Sequence, residues 1–487
     1  MLYLKKLTII VTGENLVRRD IMDLKNTEGL ETKEATTVAQ SKENKNLMTE
    51  GSILKTILVF SIPLILGNLL QQMYNTVDSI IVGNYVGKNA LAAVGSSSPL
   101  IFLLIAFGQG ISVGSGVIVS QAIGANNKKD IQLSVHTSLA ISVILGVILS
   151  ILGFIFTPQL LKMMNTPAEV MVESVKYLRL YSIGLVFNII YNMEAGILNS
   201  VGNSKRSLLY LGIASVINII FDLIFIRTLG WGVEGAAIAT NISQAIACII
   251  TLGYLMRVNA NYKVTLSKIK MHKSVAKRLI KVGLPTGIQN MMISLSNVLI
   301  QSSINVFGPI AMAGFSAYLK IDGFNILPVL SFSMASTTFT GQNYGAGKMD
   351  RVKKGMWLTL VMSIIYTILT GVLLLEFDNQ VIRLFSQEKD VIEAGVRAMK
   401  YFCPFYMFLG ILHSLAGTVR GLGKTVPPMI IIFISLCLFR VICILYVIPM
   451  TSIDYVYVLY PISWLIGAIL MVAYFIKSKP FRKKNTI

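Results

Sequence analysis

Two stretches of this chain carry the same prolines, asparagines, glutamines and glycines in the same order. Pro63 recurs 222 positions later as Pro285, and by Gln121 and Gln342 the spacing has become 221, which one deleted residue explains. The other matching pairs are Asn68 with Asn290, Asn75 with Asn297, Gly87 with Gly308, Gly124 with Gly345, Ala125 with Ala346, Gly196 with Gly417 and Gly202 with Gly423. Chance does not hold a register over such a length, so we interpret the chain as two related halves.

The composition places both halves in a membrane. The chain has 487 residues, 54% of them hydrophobic and only 14% charged, with a mean hydropathy of +0.69. Soluble domains carry about 25% charged residues. The net charge of +20 does not indicate a nucleic-acid partner, because the basic residues lie between the apolar stretches, as membrane topology requires.

Twelve apolar segments are long enough to span a bilayer, which takes about 20 residues. Because each half contains six, both halves start on the same side, and the repeat is parallel. The sequence therefore predicts an all-α membrane protein with two six-helix lobes, and such repeats are typical of secondary transporters. The expected spans are 53–83, 92–122, 131–156, 172–199, 207–228, 234–257, 277–306, 310–342, 355–377, 394–420, 426–449 and 453–476.

Lysine and arginine gather in alternate loops, most densely in 257–281 and 348–354. We call the side of the membrane with these loops the basic face, and expect it and both termini to be cytoplasmic, in the cell membrane. The expected organisation is a disordered tail, in which Met48 opens a stretch that looks like a natural start, then two lobes joined by a linker, and a basic tail. These parts are 1–50, 51–257, 258–276, 277–477 and 478–487.

Four polar residues of the first half are expected at one depth in the bilayer. Asp78 and Asp222 lie near the ends of their spans, roughly 8 to 9 Å below the face opposite the basic one at 1.5 Å per residue. Asn218 lies one turn from Asp222 on the same side of its helix, and Thr240 lies at matching depth. This all-oxygen set suits sodium, or a proton shared between the carboxylates.

The second half offers no such set, since the corresponding residues are Ile300, Phe439, Cys443 and Pro461. A requirement of the fold alone would leave a trace in both halves, so this difference favours a function. The alternative is that Asp78 and Asp222 are solvated near the interface and bond helix ends.

Other residues are candidates for a substrate cavity, although each has a packing alternative. Ionisable groups inside a membrane are costly, which draws attention to Lys320, Asp322 and Glu194; Glu194 fits a gate or interface role as well. Apolar and aromatic side chains that are expected to line an adaptable cavity are Tyr74, Met73, Met291 and Met292. We predict no catalytic residue, since no nucleophile, nucleotide-binding loop or metal-ligand cluster is visible, and no cofactor beyond a coupling ion.

Several motifs resemble the multidrug and toxic compound extrusion (MATE) family, over nearly all of the chain after residue 50. They are Ser61–Ile65, Thr76–Asp78 followed by Val82 and Gly83, Leu91–Gly95, Gln121–Ala125 and its echo Gly341–Gly347. The resemblance implies a twelve-helix exporter with two lobes in a V, which exchanges organic cations or other amphipathic toxins for external sodium or protons. It also implies a cation site at Asp78, Asn218, Asp222 and Thr240, which are metal ligands if the ion is sodium, and a gating bend at Pro63.

One departure and several alternatives accompany the resemblance. The seventh and tenth spans lack the acids that one branch of the family uses, so coupling is expected in the first lobe. A flippase for a lipid-linked or polyanionic substrate is the alternative transporter, although few bases lie within the spans to receive it. An enzyme would need a reactive cluster, and a receptor would not need the repeat. We expect small organic molecules, a coupling cation and lipid as partners, and a monomer.

Overall fold

The computed structural model describes residues 48–164, 166–447, 452–478 and 480–481. The predicted disordered tail, up to residue 47, and most of the predicted basic tail lie outside these residues. In the described part every regular element is helical and no strand occurs.

The first lobe contains six long helices, one for each predicted span. The fifth passes into a π-helical turn after Asp222, which the sequence did not reveal. The helices are α1 Ile53–Tyr85, α2 Lys88–Gly124, α3 Lys128–Met163, α4 Ala168–Ser200, α5 Ser204–Asp222 with its extension Leu223–Thr228, and α6 Gly232–Arg257.

The second lobe repeats this order. Its tenth helix contains a 3-10 turn and its eleventh contains two π-helical turns, and a short helix, Asp378–Arg383, follows the ninth. The helices are α7 Lys273–Asn305, α8 Pro309–Gly345, α9 Met349–Glu376, α10 Lys389–Phe402 with Cys403–Phe405 and Tyr406–Gly421, α11 Val426–Ile432 with Phe433–Leu438, Phe439–Ile442 and Cys443–Val447, and α12 Ile453–Ser478. α7 begins at Lys273, four residues before the predicted start of the second lobe at residue 277.

Equivalent turns open the second helix of each lobe. Gly87 and Gly308 precede α2 and α8 with φ values of 115° and 92°. Residues other than glycine rarely adopt a backbone conformation with such a positive φ. The same local chemistry therefore reverses the chain at the same point of both repeats.

Ten of the described long helices are long and apolar enough to cross a membrane. The two that fall short, α7 and α8, carry charged residues such as Lys281 and Lys320 and many serines and threonines. Both pack against the first lobe, so much of their polar surface faces protein. The chain is a multi-pass membrane protein.

The lobes meet most extensively where α2 crosses α7. A Cβ added to Gly110 would lie 2.2 Å from the Cα of Gly287, and one added to Gly114 would lie 2.2 Å from the Cα of Gly283. Only glycine permits two helix backbones to approach so closely. The small-residue face of α2 is thus an interface between the lobes.

Hydrogen bonds join the lobes in pairs that follow the repeat. The Asn68 side chain of α1 donates to Ser331 Oγ of α8 at 3.0 Å, and its counterpart Asn290 of α7 donates to the Ala106 carbonyl of α2 at 3.5 Å. Among the described residues, the direct bonds between helices of opposite lobes all lie between the basic face and the middle of the helices. The remaining ones are Gln121 to Gly421, Gln342 to Ser200, and the ion pair of Arg278 with Asp130.

Candidate cation site and cavity

Asp78 of α1 and Asp222 of α5 lie together inside the first lobe. Their side chains are 8% and 0% exposed, and the two carboxyl groups are close enough to interact electrostatically. Two ionised carboxylates cannot bond each other, since both only accept. No lysine or arginine of the described residues interacts with the pair. A proton or a metal cation must therefore neutralise it.

Several polar atoms of this pair and of its neighbour Asn218 have no hydrogen-bond partner. Asp78 Oδ1, both carboxylate oxygens of Asp222 and both polar atoms of the Asn218 side chain are buried without a hydrogen-bond partner. Thr240, 7% exposed, adds a hydroxyl from α6, which packs against α5 and α1. Buried polar atoms are rarely left unpaired, and oxygen ligands are those that hard cations prefer. The residues present fit a bound sodium ion, or a shared proton with water.

The sequence did not point to several polar neighbours of the pair. Tyr74, one turn from Asp78 on α1, lies beside Gln244 of α6, and Tyr177 and Tyr181 of α4 interact electrostatically with Asp78. Aromatic residues in an apolar helix are usually core, so their types alone gave no signal. The helical spacing of four between Tyr74 and Asp78 was the one available clue.

Pro63 is buried within α1, which continues unbroken from Ile53 to Tyr85. Because proline has no N–H, the carbonyl one turn before it lacks its helical donor. Next to this point the Ser204 hydroxyl, at the start of α5, donates to the Phe60 carbonyl at 2.9 Å. The first turn of α5 is thereby attached to α1 at its weakest point.

The structure divides the predicted cavity residues into two groups. Met73 is 54% exposed, and Met291 and Met292 are half-buried on α7. Tyr74 and Glu194 instead lie inside the first lobe, Tyr74 beside the carboxylate pair and Glu194 beside Cys248 of α6. For Tyr74 and Glu194, residue counting along the helix predicted the depth in the membrane but not the direction in which the side chain points.

Lys320 and Asp322 point to different surroundings, as their spacing of two predicts. Lys320 is exposed, with its ammonium 5.6 Å from the centre of the Phe385 ring. Asp322 accepts a hydrogen bond from Tyr318 at 3.2 Å, and the Tyr318 hydroxyl lies 3.1 Å from that of Tyr406. Asp322 therefore has a polar partner set of its own within the second lobe.

Arg440 of α11, 2% exposed, has two contacts on α12. Its Nε donates to Ser463 Oγ at 2.8 Å, and its guanidinium lies 4.3 Å from the centre of the Tyr460 ring. It also interacts electrostatically with Asp322 of α8. The second lobe thus contains a fixed internal cation with an acid near it, whereas the site in the first lobe contains two acids and no base among the described residues.

These features define a class: a helical membrane transporter made of two repeated lobes, with an acidic site in one of them. The MatE family model matches residues 63–224 and again 285–445. The chain belongs to this family, the MATE transporters. The double match also confirms the internal repeat and the all-α fold predicted from the sequence.

Relatives and solved structures agree with this assignment. The chain is 30% identical to the probable multidrug resistance protein YoeA of Bacillus subtilis, over 82% of this chain and 87% of YoeA. It is 26% identical to the probable multidrug resistance protein NorM of Thermotoga maritima, over 79% of this chain and 83% of NorM. A solved structure, the outward-facing conformation of a MATE family multidrug resistance transporter, matches with a TM-score of 0.82 and 25% identity, over 90% of this chain and 98% of that one.

Proposed function

We propose that this protein is a cation-coupled antiporter that exports amphipathic, mainly cationic organic compounds from the cytoplasm. The observation that carries the proposal is the buried pair of Asp78 and Asp222, which lacks any basic partner among the described residues. Such a pair takes up sodium or a proton, and its charge changes when the ion leaves. The names of the relatives, which are multidrug resistance and export proteins, support drugs or toxins as the cargo.

The positions of the contacts between the lobes support an outward-open conformation. Close glycine approaches and direct hydrogen bonds hold the lobes together between the basic face, which we take as cytoplasmic, and the middle of the helices. In this state the ion enters the first lobe from outside, and drug leaves the cavity. Rocking of the lobes then exposes both sites to the cytoplasm, where the ion dissociates and a new drug binds.

Coupling requires the ion to bind the two conformations with different affinity. Pro63 supplies a place for this difference, because α1 lacks one backbone hydrogen bond there and carries Asp78 on the same helix. Neutralising the pair changes the forces on α1, and a bend at Pro63 transmits that change to the cavity. Met73, on the exposed side of the same helix, would move with it.

The flippase alternative receives less support from the buried bases. Arg440 is engaged with Ser463 and Tyr460, and Arg420 donates to Ser333 at 2.8 Å. Lys320 lies beside the Phe385 ring. The two buried arginines are thus engaged within the protein, and Lys320, a single exposed base, is a small cationic surface for a pyrophosphate.

The test is ethidium transport by the full-length protein in proteoliposomes, with a sodium gradient or a pH gradient imposed separately. We expect Asp78→Asn and Asp222→Asn to abolish gradient-driven transport. Asp350→Asn, which removes an exposed carboxylate from the first turn of α9, is the matched control and should transport normally. Stimulation by sodium alone identifies a metal site, and stimulation by the pH gradient alone identifies a proton carrier. Normal coupled transport by Asp78→Asn would refute the proposal.

A further inference from the structure

A third acid lies deeper in the first lobe, away from the carboxylate pair. Glu194 of α4 is fully buried. One of its oxygens, Oε1, lies 3.9 Å from the Cys248 thiol, which donates to it, and the other, Oε2, has no partner. A bare carboxylate in such a place is very costly. Glu194 must therefore hold a proton, or a cation, for most of its time.

The surroundings of Glu194 favour a proton over a metal ion. The titratable groups that face it are the Cys248 thiol of α6 and, on α4 itself, the Tyr191 phenol. No charged residue described on α1, α2, α3 or α5 interacts with it. A hard metal cation needs several oxygen ligands, and one carboxylate with a thiol does not supply them.

A column of buried polar side chains connects Glu194 with the carboxylate pair. On α6, Thr240, Gln244 and Cys248 follow one another at intervals of four, so they lie on one side of the helix. At 1.5 Å per residue this side extends about 12 Å toward the basic face. Thr240 belongs to the cation site at one end, and Cys248 contacts Glu194 at the other.

The middle of the column also contains unpartnered atoms. Gln244 is 4% exposed and lies beside Tyr74, which stands one turn below Asp78, and its Oε1 has no partner. Both polar atoms of the Asn218 side chain are unpartnered as well. Buried atoms of this kind usually bind ordered water, and a chain of hydrogen-bonded water molecules conducts protons.

The repeat shows that packing does not require an acid at this position. The residue of the second lobe that corresponds to Glu194 is Leu415, which is also buried, at 4% exposed. Leucine therefore fills the same position in the same fold, and the acid serves something that only the first lobe does.

We propose that Glu194 is a second proton-binding site, which exchanges protons with the pair of Asp78 and Asp222 through the column of Tyr74, Gln244 and Cys248 and lies on the side of that column nearer the basic face. In each cycle Glu194 gives its proton to the cytoplasm, and its carboxylate is then reprotonated by a proton that the pair of Asp78 and Asp222 releases. Only a proton moves, and no bond other than O–H forms or breaks. This inference rests on the proposed antiport, but Glu194 binds its proton whether or not export occurs.

The experiment uses the full-length protein in lipid and follows the infrared carbonyl band of a protonated carboxylic acid in an apolar site while pH is raised. We expect a band in the double variant Asp78→Asn/Asp222→Asn that is lost when Glu194→Gln is added to it. Loss of export in the double variant with retention of this band would leave the Glu194 site standing even if the coupling role of the pair is different. A band that is unchanged in the triple variant would overturn the inference.

A transport readout separates proton exchange from a merely structural role. Glu194→Gln, which imitates the protonated form, should still bind ethidium, but its transport rate should lose its dependence on the pH at the basic face. Glu194→Leu, which installs the residue of the second lobe, serves as the second variant if glutamine impairs folding, and should behave in the same way. A pH dependence equal to that of the wild type in either folded variant would overturn the inference.

Discussion

Gly124 at the end of α2 lies against the main-chain carbonyl of Gln342 in the opposite lobe, so closely that an added Cβ would stand 1.9 Å from the oxygen. The repeat counterpart of this contact also exists: a Cβ on Gly345 would stand 2.0 Å from the carbonyl oxygen of Gln121. The two contacts are reciprocal across the lobe interface. Together they close the basic face.

Gly124→Ala should therefore destabilise the closed arrangement of the basic face. Overpacking of this kind costs about 1–3 kcal/mol, which shifts the population toward an arrangement that is open there. Distances between spin labels placed on the basic ends of α2 and α8 would measure the shift. Gly95→Ala is the control, since nothing lies within 4 Å of its added Cβ. Equal distance distributions in the two variants would contradict the role of Gly124.

The carboxylate pair predicts that cations stabilise the folded protein. An ion that binds only the folded state adds about 2.7 kcal/mol of stability at a concentration one hundred times its Kd. If the pair binds sodium, the melting temperature of the wild type in detergent should thus rise when sodium is added. If it binds a proton, the melting temperature should rise when the pH is lowered. The reason is that either ion removes the repulsion between Asp78 and Asp222.

Asp78→Asn removes that repulsion permanently, so its melting temperature should no longer respond to the ion. Asp350→Asn should respond like the wild type. The same response to the ion in Asp78→Asn and in the wild type would place the ion elsewhere.

Arg440 predicts a stability effect that is separate from coupling. Ser463→Ala leaves the buried Nε of Arg440 without its acceptor, which costs about 1–3 kcal/mol. Tyr460→Leu removes a desolvated cation–π contact of about 2 kcal/mol. Melting temperatures of the two single variants and the double variant should show non-additive losses, because both partners hold one guanidinium.

The control for these variants is Ser302→Ala, an exposed serine of α7, which should melt like the wild type. The response of the melting temperature to the coupling ion should persist in all of them, since Arg440 lies in the other lobe. Strictly additive losses would show that the two contacts act independently.

The sequence predicted the repeat, the helices and the acidic site because each depends on local composition or on spacing. Thr228 and Arg257 end their segments where the hydropathy predicted. Asp78 and Asp222 could be placed at one depth by counting residues along their helices. A rise of 1.5 Å per residue fixes depth without any knowledge of how helices pack.

Contacts between helices that are distant in the chain could not be predicted from the sequence. Depth alone did not reveal that Glu194 turns toward Cys248 in α6, or that Arg440 is held by Ser463 of α12. Both facts depend on the rotation of one helix against another. The π-helical turn after Asp222 also has no signature in hydropathy, because its side chains are as apolar as those of an α-helix.

Arg351 of α9 predicts a local stability effect at the beginning of the first lobe. Its guanidinium donates to the carbonyls of Met48, Glu50 and Gly51, at 3.2, 3.1 and 2.9 Å. Since Arg351 belongs to the second lobe, it holds the segment that leads into α1. Arg351→Ala should release this segment, and amide hydrogen exchange in residues 48–52 should become at least about tenfold faster, the equivalent of about 1.4 kcal/mol.

Lys353→Ala is the matched control, because Lys353 is an exposed base two residues away. Mass spectrometry of peptides from the folded protein measures both variants under one protocol. The Met48 amide also donates to Gln342 Oε1 at 2.8 Å. Release of the segment should therefore loosen the end of α8, against which Gly124 packs. Faster exchange confined to residues 48–52, with no change near Gln342, would show that the segment and the lobe interface are independent.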